Sequence, residues 1–176
     1  MRSLSTISLV LLTVVAAAPA QAQEVSYDLP TYTDSLRWNR AGTLFIAALV
    51  GDLVKSKEQG MSAAESGRAS AKVFGPPNGW NRSDTPFVLF RGMYYNWMSH
   101  PDQTCELLEA GENLVRARCN RPYLGYFGTS GESYGVTVAQ YEEMGLNFAA
   151  TIADYHGMDW QQRVDGDDVM ITIRKR

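Results

Sequence analysis

The chain has little of what most enzymes use at a reacting centre: two cysteines and two histidines in 176 residues. Two thiols without clustered imidazoles fall short of a metal-ligand set. Sixteen Lys and Arg stand against nineteen Asp and Glu, a formal charge of −3, and no basic block occurs. The positive stripe that binding to a phosphate backbone demands is missing, so nucleic acid is not an expected partner. No Gly-x-Ser-x-Gly elbow is present, and no glycine-rich run ends in Gly-Lys-Ser or Gly-Lys-Thr. After the first 22 residues no apolar run approaches the roughly 20 residues that cross a bilayer. What remains, 45 % hydrophobic and 20 % charged residues, suffices for one compact core and hardly for two.

The first residues read as an address. Arg2 precedes an apolar run over residues 9–18, broken only by Thr13. Pro19 and the small-x-small triplet Ala20, Gln21, Ala22 follow. Charge, greasy stretch and cleavage site in that order are the parts of a secretory signal peptide. Removal after Ala22 and a periplasmic or secreted product are expected.

In such an oxidising compartment Cys105 and Cys119 are disulfide candidates. Residues 104–110 and 114–120 read as two strands around Gly111-Glu112-Asn113, a three-residue hairpin loop. One register sets Cys105 against Cys119, Leu107 against Ala117, Glu109 against Val115 and Glu106 against Arg118. The sulfurs then meet on a mostly apolar face and the charges on the other. Glu109 is the misfit of that register.

Residues 23–33 carry Pro30 and few apolar side chains, and they read as an extended arm leading to a single domain over 34–176. Asp34 is placed to cap a helix in which Leu36, Trp38, Ala41, Leu44, Phe45, Ala48, Leu49 and Val54 recur at helical spacing, ending by Gly60. Ser62-Ala63-Ala64-Glu65 is a capping box opening a second helix whose small residues permit close packing. The segment from Gly75 to Arg82, with Pro76, Pro77, Gly79 and Trp80, is a loop. Ser83 or Asp84, with Pro86 in the first turn, starts a third helix with an apolar stripe of Phe87, Phe90, Met93, Tyr94 and Trp97, and His100-Pro101 closes it. Beyond the cysteine hairpin, Thr137-Val138-Ala139-Gln140 is another capping box, and Gly157 ends that helix. Residues 159–164 and 168–174 flank an Asp165-Gly166 turn, with Val169, Ile171 and Ile173 facing inward. Three helices, a hairpin, a helix and a hairpin give an α+β fold with helices packed on an antiparallel sheet.

Helices first, then hairpin, helix and hairpin, with a closing run from Gly145 to Ile173 that holds Tyr155, Gly157, Asp165-Gly166 and Ile171, resembles the ligand-binding superfamily of 4-vinyl-reductase-like domains, heme nitric-oxide-binding domains and Golgi-transport subunits. Helix-rich hydrolases of small cyclic amino acids look similar over the same stretch. The resemblance implies a hydrophobic ligand cavity between helices and sheet. No metal-binding cysteines or heme-ligand segment of those families match residues here, so no cofactor is expected.

Candidate chemistry divides unevenly. His100 and His156 each end a helix, where a cation is favoured by exposed carbonyls, although either one can serve as a base in a small extracytoplasmic hydrolase. Gly128 to Gly135 is an anion-binding loop or a plain connector. Glu142-Glu143 diverge by about 100° on a helix and read as a solvated face, while Asp165, Asp167 and Asp168 belong to a turn rather than a calcium loop. The aromatics carry more. Trp80, Arg91, Tyr94, Tyr95, Trp97, His100 and Tyr126 are the expected lining of a pocket for a small hydrophobic or planar ligand, with core packing an equal explanation for Tyr94 and Trp97. A binding protein without catalysis is the leading expectation; a histidine-based hydrolase and an envelope interaction protein whose exposed aromatics meet a partner are the alternatives.

Overall fold

Helix-forming runs punctuated by hydroxyl caps set the frame. In the computed structural model, residues 33–74, 83–100 and 102–176 are described. Residues 1–22, expected as a signal peptide, all but the last residue of the expected arm, the loop with Trp80, and Pro101 lie outside the described residues. Helix α1 is Asp34–Glu58, α2 Ala63–Phe74 and α3 Pro86–Trp97. Strands β1 Cys105–Ala110 and β2 Leu114–Asn120 follow, then the short helix α4 Leu124–Phe127, strands β3 Glu132–Ser133 and β4 Val136–Thr137, helix α5 Val138–Tyr155, and strands β5 Met158–Asp165 and β6 Asp168–Lys175. The class is α+β, as the order of patterns predicts.

The caps correct the expected starts by a residue or two. Thr33, not Asp34, caps α1, its Oγ1 accepting the amide of Leu36 at 3.3 Å. Thr85, not Ser83 or Asp84, caps α3 through Val88. All five are eligible side chains, and the one adjoining the first helical residue is used. Both capping boxes form. The Ser62 hydroxyl accepts the Glu65 amide while Glu65 accepts the Ser62 amide and hydroxyl, and those bonds hold the Glu65 carboxyl below its ordinary range. Thr137 and Gln140 are paired in the same reciprocal way.

The main sheet runs β1-β2-β6-β5, antiparallel throughout, so the two hairpins join through β2 and β6. Its inner face is apolar. Val115, Ala117 and Cys119 lie against Ile173, Ile171 and Val169, and Trp160 flanks Ile173 on the far side. Against this face pack Leu89, Phe90 and Met93 of α3 and Ala149, Ile152 and Ala153 of α5, all buried. A second cluster joins Ile46, Val50 and Leu53 of α1 to Ala63, Phe127, Val136 and Met144. The side of α1 expected to be inward is therefore mostly outward: Leu36, Trp38, Leu44 and Phe45 are exposed. On α3, Leu89 takes the inner place expected for Phe87, which is exposed.

Cys105 and Cys119 are joined in a disulfide, with Cα atoms 4.1 Å apart. The neighbouring pair exchanges an amide bond, Asn120 N–H to the Thr104 carbonyl at 3.1 Å. The cysteines therefore occupy the close, non-hydrogen-bonded type of cross-strand site. Cys105↔Cys119, Glu106↔Arg118 and Leu107↔Ala117 follow the expected register, but a bulge between Leu107 and Glu109 then moves Glu109 opposite Arg116. The misfit is thereby removed. Glu109 meets Arg116 at 3.2 Å, and Val115 stays in the core beside Ala110.

The last turn is also shifted by one residue. Asp165 pairs with Asp168, so Gly166-Asp167 is the two-residue loop. Gly166 has φ +63° and Asp167 does not share the positive sign, which is the sign pattern of a type II′ turn.

Candidate functional site

Two groups of side chains repay inspection, one at the end of α3 and one between α4 and α5. On the inner side of α3, Phe90 and Trp97 meet edge to face at 6.5 Å, and Trp97 meets Trp160 of the sheet in the same way at 5.9 Å. Tyr94 stacks on Phe90 at 6.2 Å. Rings thus fill the space between helix and sheet where a cavity is expected from the sequence, and Tyr94 and Trp97 act there as core.

The other expected lining residues are not gathered around them. Tyr126 packs in the second cluster, edge to face with Phe127 at 5.6 Å. Arg91 is exposed, and Tyr95 is 78 % exposed on the outer side of α3. Trp80 lies outside the described residues. His100 follows the helix end, its amide bonded to the Trp97 carbonyl at 2.9 Å.

Beside Trp97 stand two polar atoms with an unusual status. Ser99 Oγ and His100 Nδ1 are buried and have no hydrogen-bond partner among the described residues. An unpaired buried polar atom costs about 1–3 kcal/mol, and native proteins carry few of them. Tyr95 lies one helical turn before Ser99, so an exposed ring, a hydroxyl and an imidazole share this end of the helix.

The second group was invisible to local pattern. Arg121 Nε donates to Glu142 Oε1 at 2.7 Å, Arg121 Nη2 makes a shorter bond to the same oxygen, and the Tyr123 hydroxyl donates to it at 2.6 Å. Arg121 Nη1 also reaches the Gly166 carbonyl at 2.9 Å. The Arg121 and Glu142 side chains are 11 % and 15 % exposed. Glu142 is therefore not on a solvated face; Glu143, its exposed neighbour, is. Burial works against the charge of Arg121, but its bonds to Tyr123 and Glu142 outweigh that and hold the guanidinium protonated. Burial, then the bond to Glu142, pushes the Tyr123 phenol far up, and burial alone does the same to Tyr141. Tyr141 packs on Tyr123 at 5.1 Å and on Phe127 at 5.5 Å. A phenol so reluctant to ionise is no general base at neutral pH. The group is a joint binding the β2 exit and the last turn to α5.

The remaining candidates resolve into structure. His156 caps α5, and its Nδ1 accepts the Ser83 amide at 3.1 Å. Asp154 and Asp159 both engage Arg176, at 2.6 and 3.4 Å. The connector from Gly128 forms a 3₁₀ turn and the β3–β4 hairpin, and the amides at the start of α5 are already used: Val138 bonds Gly131 and Thr137 bonds Gln140. No group of three or more potential metal ligands occurs among the described residues. None of the described helices is long and apolar enough to cross a membrane.

No family profile matches the chain, and no curated protein does. Among solved structures it is similar to the Fe(II) unliganded H-NOX protein from K. algicida, at 12 % identity and a TM-score of 0.39. A point mutant of that protein aligns at 10 % identity and a TM-score of 0.40. Each alignment covers 69 % of this chain and 67 % of the other. Similarity at this level assigns neither a ligand nor a residue role.

Proposed function

We propose that the protein is an exported, non-catalytic binding protein for a small planar or hydrophobic ligand, taken up at the C-terminal end of α3. The observation that carries this reading is the pair of unpartnered buried atoms, Ser99 Oγ and His100 Nδ1, beside Trp97. A ligand with one polar edge supplies the missing hydrogen bonds while its apolar body lies against rings, the division of labour usual in small-molecule sites. Tyr95 is the exposed ring nearest that end of the helix. Export fits the cystine of the first hairpin, since such bonds persist in oxidising compartments.

Native mass spectrometry of the protein recovered from the exported fraction tests both parts. The expected spectrum shows a polypeptide beginning at Gln23 with a non-covalent adduct of small-molecule mass. In Ser99→Ala the adduct is lost while the thermal midpoint holds or rises, because removing an unpaired buried hydroxyl relieves its desolvation cost. A wild-type spectrum without adduct in every preparation overturns the ligand reading, and a chain retaining residues 1–22 overturns export.

A further inference from the structure

The main sheet ends on two edges, β1 and β5, and they differ. β1 is bulged between Leu107 and Glu109, a usual guard against the addition of a foreign strand. β5 has no such guard. Its eight residues pair with β6 in one unbroken register and include neither proline nor lysine. The Arg176 amide bonds to the Gly157 carbonyl at 3.1 Å, so in that register Asp159, Gln161, Arg163 and Asp165 exchange the ladder bonds with β6. The backbone groups of Met158, Trp160, Gln162 and Val164 point the other way, and no backbone hydrogen bond reaches them among the described residues.

Laid antiparallel on a second copy of itself, β5 has one register that uses all four of these residues. Met158 falls opposite Val164 and Trp160 opposite Gln162, about a two-fold axis at Gln161. The same register decides the charges. On the outer face Asp159 of each copy falls opposite Arg163 of the other, in the close, non-hydrogen-bonded type of site where opposite charges attract best. Asp165 falls opposite Gly157, whose neighbour on β6 is Arg176. Each acid thus meets a base: Asp159 lies between Arg176 of its own chain, at 3.4 Å, and Arg163 of the second copy. Centring the pair on Gln162 instead sets Asp159 against Asp165 and leaves Met158 unpaired. Centring it on Trp160 leaves Val164 unpaired and Arg163 without an acid.

The helical layer leaves room for this approach. On the inner face Met158 and Trp160 are 1 % and 6 % exposed, whereas Val164 is 44 % exposed. The helices therefore cover the first half of β5 and not the second. The two-fold sets the covered half of each copy beside the bare half of the other.

We propose that β5 is a homodimerisation edge, adding antiparallel to β5 of a second copy of the chain across Gln161, so that two sheets become one. The contact is isologous and closes on itself, with the bulged β1 strands left at the outer edges. It needs no ligand at α3.

Sedimentation velocity of the chain from the exported fraction, across a hundredfold range of concentration, tests the association. The expected result is a reversible shift from monomer to dimer with no larger species. Gln162→Pro deletes only an outward amide, a change that edge strands tolerate, and is expected to abolish the dimer while circular dichroism stays that of wild type. Charge is tested by mixing. Arg163→Asp sets acid on acid across the axis and Asp159→Arg sets base on base, so each variant alone is expected to be monomeric, whereas the two together form a heterodimer. A wild-type chain that stays monomeric throughout overturns the proposal, as do species larger than a dimer. So does a dimer that survives folded Gln162→Pro, or a mixture of the two charge variants that associates no better than either alone.

Discussion

A β-carbon placed on Gly67 would lie 2.1 Å from the carbonyl oxygen of Met144 and 3.1 Å from the amide nitrogen of Phe148. Helix α2 therefore rests on the backbone of α5 at this point, and Ala71, one turn on, is buried on the same side. Gly67→Ala gains up to ~1 kcal/mol of helix propensity but drives a methyl group into main chain, which cannot yield as a side-chain tip does. Overpacking of that kind costs ~1–3 kcal/mol, so a lower urea midpoint and a thermal midpoint reduced by several degrees are expected. A stabilised Gly67→Ala would show that the two helices separate freely.

The Arg121–Glu142 pair predicts a contrast between adjacent glutamates. Removing one partner of a largely buried ion pair strands the other, at about 3 kcal/mol. Glu142→Gln is expected to destabilise by that order, because the guanidinium and the Tyr123 hydroxyl both depend on the lost carboxylate. Glu143→Gln, at an exposed position, should stay within about 0.5 kcal/mol of wild type. Equal effects in equilibrium denaturation would mean that the pair contributes no more than a surface bridge.

Alkaline pH gives a signature of the buried phenols. Tyr123 and Tyr141 ionise in the folded protein far above the 10.0 of a free tyrosine. The folded state thus favours their protonated forms, and the stability this contributes is complete below pH 10 and is lost as pH rises beyond it. Two of the nine tyrosines are expected to titrate late, or only with unfolding, in absorbance at 295 nm. Tyr141→Phe should remove one of them and flatten the fall in denaturation midpoint above pH 10.

Opening the cystine loosens the first hairpin. Its cysteines are 14 residues apart in sequence, and closing a loop of that size restricts the unfolded chain by roughly 3 kcal/mol. Comparing guanidinium midpoints with and without a reductant, against a Cys105→Ala/Cys119→Ala chain, measures it. Reduced wild type and the double variant should coincide.

Local chemistry was legible wherever one residue's neighbours decide its place. The two cysteines set the hairpin register as far as Leu107, and Glu109, a charge on an apolar face, already marked the point where the bulge intervenes. Capping boxes at Ser62 and Thr137 were readable because both halves lie within one turn. The Asp165-Gly166 pair announced a turn without settling which two residues make it; the pairing of Val164 with Val169 does that. Helix α1 misled because both of its sides are apolar, and periodicity does not say which is covered. The Arg121–Glu142 joint had no local signal, since its partners are 21 residues apart and only the fold brings them together. The pocket expectation failed between helix and sheet because Trp160, on a strand far along the chain, supplies the ring that fills it.

The place of β6 between β2 and β5 bears on how the molecule assembles as it is made. The cystine hairpin is local and can close early, but nothing joins it to the rest of the platform until residues 168–175 have emerged and slotted in between. The sheet of such a chain stays in two parts until its central strand is made. The cystine hairpin is local, whereas the face on which α3 and α5 rest is complete only with the central strand.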